Sequence, residues 1–387
     1  MQILQSQFLL KPGLVFLNFG SFGACVKPVF EKYQALQREM ELDPVDFITN
    51  TGLNYLKQSK QSLAAYLHCP AEDLVYITNP TYAVNMVAKS FPFKPGDEIL
   101  TTALEYGACD KTWEFYCEKK GMVYKKQPIS IPITSKEALV DDFFKGLSPK
   151  TKMVFISHVT SSTALRLPVE EICAKAKQLG LVTFVDGAHA PGQVNLDLST
   201  LQADIYTGAC HKWMMTPKGS SFVYVKKELQ HFIDPLIISW GYKALFPSSS
   251  TFQDHQQLIG TRDYTAYLTI PSSLEFMEQY NWPMVTAQCR TLTMENAGTL
   301  CNLLDAVPIA PVNDDFTAQM YSAEIKTREP EKLHDLLLET YHIQVPVMRH
   351  GAKTYLRYSI HAFNEQQDLD HLFNAVKDIK SSSSLIE

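Results

Sequence analysis

Between Leu74 and Asp186 the chain changes hydrophobic period again and again. Short β-rich runs at Leu74–Thr78 (LVYIT), Glu98–Thr102, Met153–His158 (MVFISH) and Leu181–Asp186 (LVTFVD) are too brief and too uniformly apolar for surface helices. They predict strands buried on both faces. Between them apolar residues return every three or four positions, which predicts helices. Thr81–Ser90 is one, and Asp110–Lys120 is another that stops at Gly121. A third opens at Pro168, with Glu170 and Glu171 in its first turn, and ends at Gly180. Ser221–Val225 adds a strand. Upstream, Val29, Tyr33, Leu36 and Met40 share one face of a helix opened by Pro28, and a second amphipathic stretch covers Leu56–Leu67. Strands alternating with helices predict an α/β fold with a mostly parallel sheet covered on both sides.

From Tyr264 the pattern changes. A long helical region, Tyr264–Asp305, is followed by β-rich segments at Gln319–Ile325 and Lys353–Ile360 and helices at Glu331–Tyr341 and Glu365–Lys380. This predicts a smaller α+β C-terminal domain. The expected organisation is an N-terminal arm at 1–17, a large domain at 18–263 and a small domain at 264–387 against which the arm can pack. The tail SSSSLIE predicts a frayed end.

Composition narrows the function. The chain has 387 residues, 45% hydrophobic and 20% charged, with a formal charge of −6 and no basic run, so neither nucleic acid nor an anionic membrane is the expected partner. No signal peptide or membrane span is legible, and the expected location is cytoplasmic. The eight cysteines are scattered without a Cys-x-x-Cys pair, which predicts reduced thiols and no metal site.

Candidate chemistry clusters after the strands, where open parallel sheets bind ligands. Thr78-Asn79-Pro80-Thr81-Tyr82 precedes a helix, whose first amides suit a phosphate; Pro80 has no N–H, so Thr81, its hydroxyl and Tyr82 are the candidates. Asp186, in Val185-Asp186-Gly187-Ala188-His189, is an acid at the end of an apolar strand, costly to bury without a partner. Lys212, flanked by His211 and Trp213, is unlike a solvated lysine and is a candidate nucleophile toward carbonyls. Arg357, in Leu356-Arg357-Tyr358-Ser359, can clamp a carboxylate. Each alone reads equally as an ordinary cap, turn or surface residue.

Together they resemble a family. VTFVDGAHAPGQ followed by ADIYTGACHKWMMTPKGSSFVYV is similar to the class V aminotransferases. LNFGSFGACVKPV, LEYGACDKTWEFY, SHVTSSTALRLPVEEI and LIGTRDYTAYLTIPSSLEF resemble its isopenicillin N epimerase-like branch, from about Asn18 to Asn374. The resemblance implies fold type I, a seven-stranded large domain, a homodimer and pyridoxal 5′-phosphate (PLP). It implies Lys212 as the Schiff-base lysine and proton shuttle. It implies Asp186 on the pyridinium nitrogen, His189 near the ring hydroxyl and Tyr106 stacked on the ring. Thr81, the Tyr82 amide and His211 would hold the phosphate, with Thr261 reaching the phosphate of a partner subunit. Arg357 would bind the substrate carboxylate, with Asn18 and the Gly20–Gly23 turn near the substrate. Ala209, Phe19 and Ser162 depart from the family pattern, where a phosphate-binding Ser or Asn, a His and a Pro are common.

The implied reaction is Cα proton abstraction from an amino acid, with epimerisation expected and transamination or β-elimination as alternatives. A persulfide-forming desulfurase is disfavoured because Tyr341–Lys353 contains no cysteine. A non-catalytic PLP-fold binding protein is the rival of another class, countered by the presence of Lys212. A nucleotide-binding enzyme lacks the glycine-rich loop it would need.

Overall fold

The computed structural model describes residues 4–387. Its main sheet has seven strands: β1 Leu74–Ile77, β2 Glu98–Thr102, β3 Val123–Gln127, β4 Thr151–Ser157, β5 Val182–Gly187, β6 Ile205–Ala209 and β7 Ser221–Val225. The spatial order is β1-β7-β6-β5-β4-β2-β3. All pairings are parallel except those of β7, which runs antiparallel to β6 and β1. The expected mostly parallel α/β sheet is therefore present.

The helices of nine or more residues are α1 Lys27–Leu42, α2 Gly52–Leu67, α3 Pro80–Ser90, α4 Gly107–Lys120, α5 Lys136–Phe144, α6 Val169–Gln178, α7 Ile270–Gln279, α8 Trp282–Leu303, α9 Pro330–Glu339 and α10 Gln366–Ser382. Side chains alternate across the strands. Val75, Phe155, Phe184 and Val223 join one core with α3 and α4. Tyr76, Val154, Val185 and Phe222 join the other, which includes Leu63 of α2 and Ile172 of α6. Helices on both faces explain why the central strands read as unbroken apolar runs.

A second, antiparallel sheet has the order β9-β10-β8, with β8 Met320–Glu324, β9 Val347–His350 and β10 Lys353–Ser359. The N-terminal arm belongs with it. Val15 and Phe16 pair in parallel with Ile343 and Gln344, and the Ser359 N–H donates to the Leu17 carbonyl at 2.8 Å. Residues 1–3 of the arm lie outside the described residues.

Four expectations change. Strand β3 (VYKKQ) escapes an apolar-run criterion because it is a half-exposed edge, where lysines are tolerated. Thr207-Gly208-Ala209 are the end of β6 and not a loop. The single helical region Tyr264–Asp305 breaks at Asn281, whose φ of +47° ends the helical path. The tail is not frayed: Ile386 is buried and the Glu387 N–H donates to the Lys326 carbonyl at 2.9 Å. Among the described residues no helix is long and apolar enough to cross a membrane.

Candidate active site

Parallel strands in register end together, and here the ends of β4, β5 and β6 place Ser157, Asp186 and Thr207 side by side. A cavity of about 430 Å³ opens beyond them. Thr81, Tyr106, Asp186, His189, His211 and Lys212 line it.

Asp186 is buried. One oxygen, Oδ1, accepts the Ala188 N–H at 2.9 Å. The other, Oδ2, faces only the Cys109 thiol at 3.5 Å. Burial pushes its carboxyl above the usual range, while the Ala188 amide, Lys212 and Cys109 pull it back. A thiol is a weak donor, so Oδ2 can accept a stronger one from the cavity.

Lys212 lies in the connection between β6 and β7, and Gly23 packs on its backbone. A Cβ on Gly23 would lie 2.7 Å from the Lys212 Cα, and φ is +64°, so only glycine fits. Lys212 Nζ sits 3.2 Å from His189 Nε2. The indole N–H of Trp213 donates to His189 Nδ1 at 3.4 Å. That network assigns the His189 proton to Nε2, so its partner must offer a lone pair. The Lys212 amine supplies it only in its uncharged form, whose share grows as pH approaches about 8. Burial and, next, the Arg357 charge bring the Lys212 amine down to about 8, against a smaller upward pull from Asp186 and Cys109. Burial also holds His189 neutral, with Lys212 adding to the effect.

His211 gives its Nδ1–H to the Ser220 carbonyl at 2.9 Å, and burial brings it down to about 4. At neutral pH it offers the cavity no positive charge. At the start of α3 the Asn79 side chain, not Thr81, is the cap: its Oδ1 accepts the Tyr82 N–H at 3.0 Å. Tyr82 does not line the cavity. The Tyr82 amide expected at the phosphate is thus bonded to Asn79 here, and Thr81 stands at the cavity wall.

Arg357, on β10, is 1% exposed and makes no ion pair among the described residues. Its Nη1 donates to the Ser161 carbonyl at 2.6 Å, and Nη2 to Asn18 Oδ1 at 3.3 Å and Ser21 Oγ at 3.2 Å. Its Nε has no partner. Arg357 and Asn18 thus stand behind the wall formed by Ser21 and Ser161. A buried guanidinium held only by neutral acceptors keeps a charge that no protein carboxylate among the described residues balances. Thr261 is exposed and outside this cavity. Phe19 points away from the cavity, stacked on His361 at 3.7 Å.

Reading the strand ends alone misses Ser157, Glu105 and Cys109. Glu105 is buried. Its Oε2 accepts the Ser157 N–H at 2.9 Å and hydroxyl at 2.5 Å, and its Oε1 accepts the Thr102 hydroxyl at 2.6 Å. Burial pushes its carboxyl up to about 8 despite these bonds. Ser157 is the last residue of the strand but only the penultimate one of the run MVFISH, so the sequence pattern points one residue past it. Cys109 and Glu105 gain meaning only through neighbours across the sheet.

An α/β sheet covered by helices on both faces, with a lysine whose buried amine is brought down to about 8 beside a buried strand-end acid, defines a class of enzyme that works on carbonyl cofactors. The chain belongs to the class V aminotransferase family, whose model matches residues 46–372. It is 30% identical to an isopenicillin N epimerase of Amycolatopsis lactamdurans, over 97% of each chain. It is 29% identical to a putative L-cysteine desulfhydrase of Oryza sativa subsp. japonica, over 69% of this chain and 58% of that one. A structure of a C-DES mutant with glycine covalently linked to the PLP cofactor matches its fold with a TM-score of 0.82 at 21% identity, over 97% of this chain and 99% of that one. The family cofactor, pyridoxal 5′-phosphate, fits the residues present. Asp186 Oδ2 is open to a ring N–H, burial brings the Lys212 amine down to about 8, and Thr81 stands at a helix N-terminus in the same cavity.

Proposed function

We propose that this PLP-dependent enzyme is an amino-acid epimerase that acts through removal of the Cα proton, with Lys212 as the base. The observation that carries this is the buried Lys212 amine held 3.2 Å from His189 Nε2 in the cavity that exposes Asp186. The full-length likeness to an isopenicillin N epimerase supports the choice of reaction.

PLP, when bound, supplies an electron sink that acidifies the Cα–H of an attached amino acid. The protein's own residues set up the rest. Lys212 would hold the cofactor through Nζ, and its amine, in the uncharged form, would be the base that takes the Cα proton. Asp186 Oδ2 holds a proton on the ring nitrogen. Arg357 pairs with the substrate carboxylate, which fixes the Cα–H toward Lys212. Tyr106 covers the ring and excludes water, and His189 lies beside the ring hydroxyl. Thr81 would donate its hydroxyl to the phosphate, and His211, whose Nδ1–H goes to the Ser220 carbonyl, would donate to it from Nε2 when that nitrogen is protonated.

The expected assembly is a homodimer in which Thr261 serves the site of the partner subunit. The exposure of Thr261 supports this, as does the nearby run of exposed Ile238, Trp240, Leu245 and Phe246, an apolar surface of the kind that marks interfaces. Light scattering is expected to return twice the 43.7 kDa chain mass.

A β-lyase is the second reading, favoured by the cysteine desulfhydrase likeness. A protein persulfide has no support: the cysteine nearest Arg357 in sequence is Cys301, buried and bonded to the Tyr321 hydroxyl at 3.0 Å. Incubation of the loaded enzyme with L-amino acids in deuterated water separates the outcomes. Cα deuterium with inversion is expected. Pyruvate release without inversion makes the enzyme a lyase, and amino transfer to a keto acid makes it an aminotransferase.

A further inference from the structure

The cavity must hold a doubly charged anion, and its own charges do not match one. A phosphate monoester carries roughly −1.5 to −2 near pH 7. Three lining side chains bear a full charge: Asp186, Lys212 and Lys218. Asp186 is itself an anion, and the Lys212 amine is committed to the cofactor carbonyl. His211 spends its Nδ1–H on the Ser220 carbonyl, and burial brings it down to about 4, so as it stands it adds no charge.

Neutral donors are few as well. At the start of α3, Pro80 has no N–H and the Tyr82 N–H is bonded to Asn79 Oδ1 at 3.0 Å, which leaves the Thr81 amide and hydroxyl. The helix end adds only about half a positive charge. Ala209 offers no side-chain donor. The one cation left on the cavity wall is Lys218.

The chain between β6 and β7 is folded to bring it there. The His211 N–H donates to the Ser220 carbonyl at 3.0 Å and the Thr216 N–H to the Cys210 carbonyl at 3.3 Å, which closes the connection on itself. Gly219 takes the turn at a φ of +86°, a conformation that glycine adopts without a Cβ penalty. Lys218 thereby lies near His211 and the arm residue Cys25, and its charge acts on both, though less than burial does. It is not among the charges that act on Asp186, so it belongs to the end of the cavity away from the ring nitrogen's partner. Nothing nearby balances it. Burial pushes the Cys25 thiol up to about 12, so that group is neutral, and Lys218 forms no ion pair with another side chain among the described residues.

We propose that Lys218 is the cation of the phosphate end of the site, its ammonium paired with the cofactor phosphate opposite Asp186. The assignment rests on PLP as the cofactor and on Thr81 marking the phosphate end. Lys218 is exposed at the cavity rim, and its flexible stem suits it to meet a phosphate as a point charge. The cofactor is then held between charges of opposite sign, Asp186 at the ring nitrogen and Lys218 at the phosphate.

Lys218→Met removes the charge and keeps most of the stem, and Lys218→Arg keeps the charge. Cofactor-free wild type and both variants are titrated with PLP and with pyridoxal, which lacks the phosphate, and uptake is read from the absorbance of the bound ring. Lys218→Met is expected to weaken PLP by about tenfold or more, the scale of a charge-assisted contact, and to leave pyridoxal nearly unchanged. Lys218→Arg is expected to restore PLP to within about threefold of the wild type. Phosphorus NMR of the loaded proteins gives a second readout that a merely structural role would not move. A nearby cation favours the dianion, so the phosphate of Lys218→Met should titrate at higher pH than that of the wild type. Equal weakening of PLP and pyridoxal would assign Lys218 to the fold of its loop and overturn the proposal. So would an unchanged PLP affinity with an unmoved phosphate titration, which would give the phosphate charge to another group while leaving PLP as the cofactor. A wild type that takes up neither compound would overturn the PLP reading itself.

Discussion

The two sides of this site are assembled on opposite principles. Asp186, His189 and Lys212 come from one short stretch of chain at the ends of β5 and β6, so the sheet itself sets their spacing. Arg357 is held by Asn18, Ser21 and Ser161, partners up to 339 residues away in sequence, and all are neutral acceptors. The first side depends on sheet register. The second depends on the arm being zipped to Ile343–Gln344 and on Gly20 donating to Ser359 Oγ at 3.2 Å. Proton transfer and carboxylate capture should therefore break separately.

Lys212→Ala tests the sheet side and carries the largest expected effect. It should abolish the yellow absorbance of the loaded protein and lower Cα exchange by at least the ~10²–10⁴-fold typical of general acid–base groups. A variant that keeps both the absorbance and the turnover removes Lys212 from the mechanism. The pH dependence sharpens the point. The folded amine is brought down to about 8 from an ordinary 10.5, so its reactive, uncharged fraction grows as pH rises toward 8 and then saturates. Uptake of PLP by the cofactor-free protein should climb about tenfold per pH unit below that point and level off above it. A rate that keeps climbing toward 10.5 would show an unperturbed lysine.

Arg357→Met tests the other side. It should leave the absorbance of the bound cofactor in place and weaken amino-acid binding on the order of 100-fold, the scale of losing a charge-assisted carboxylate contact. Equal loss of cofactor and substrate binding would mean that the two sides are one cooperative unit.

Glu105→Gln probes the floor beneath the sheet side. The Glu105 carboxyl is raised to about 8 from 4.5, so the folded protein keeps a proton that the unfolded chain releases between those values. Stability of the cofactor-free protein therefore falls as pH rises through that window, by on the order of a few kcal/mol. Denaturant midpoints should show this slope in the wild type and lose it in the variant; a parallel pair of curves would place the proton elsewhere.

The same contrast governs what the sequence made legible. Asp186, His189 and Lys212 could be picked out because an acid or lysine directly after an apolar strand is unusual within a few residues of chain. The β6 end, Thr207–Ala209, looked like a loop because its small residues lack a strand signature, although neighbours on both sides bury it. At the start of α3 the cap is Asn79, one residue before a proline, and not Thr81, a choice that the residue types alone do not settle. Glu105 and Cys109 stayed hidden since their partners, Ser157 and Asp186, are 52 and 77 residues away. Arg357 was visible only as a residue type. That its charge would be buried among neutral acceptors follows from the packing of the arm, which no local pattern encodes.

Asn18→Ala is the finest probe of that packing. Asn18 touches Arg357 Nη2 at 3.3 Å and accepts the Ser21 hydroxyl at 2.5 Å, so it positions the guanidinium and the serine beside it. Neither contact is an ion pair. Removing the amide costs about one neutral hydrogen bond, ~1 kcal/mol, or roughly fivefold in affinity. The effect should fall on KM with kcat nearly unchanged, because a tilted Arg357 weakens carboxylate capture without moving Lys212. Asn18→Asp sharpens the contrast further. A carboxylate there would pair with Arg357 and compete with the substrate, so its KM should rise well above that of Asn18→Ala even though it restores a bond to Nη2. If Asn18→Asp instead recovers wild-type KM, Arg357 serves as a structural tie, and capture of the substrate carboxylate belongs to another residue.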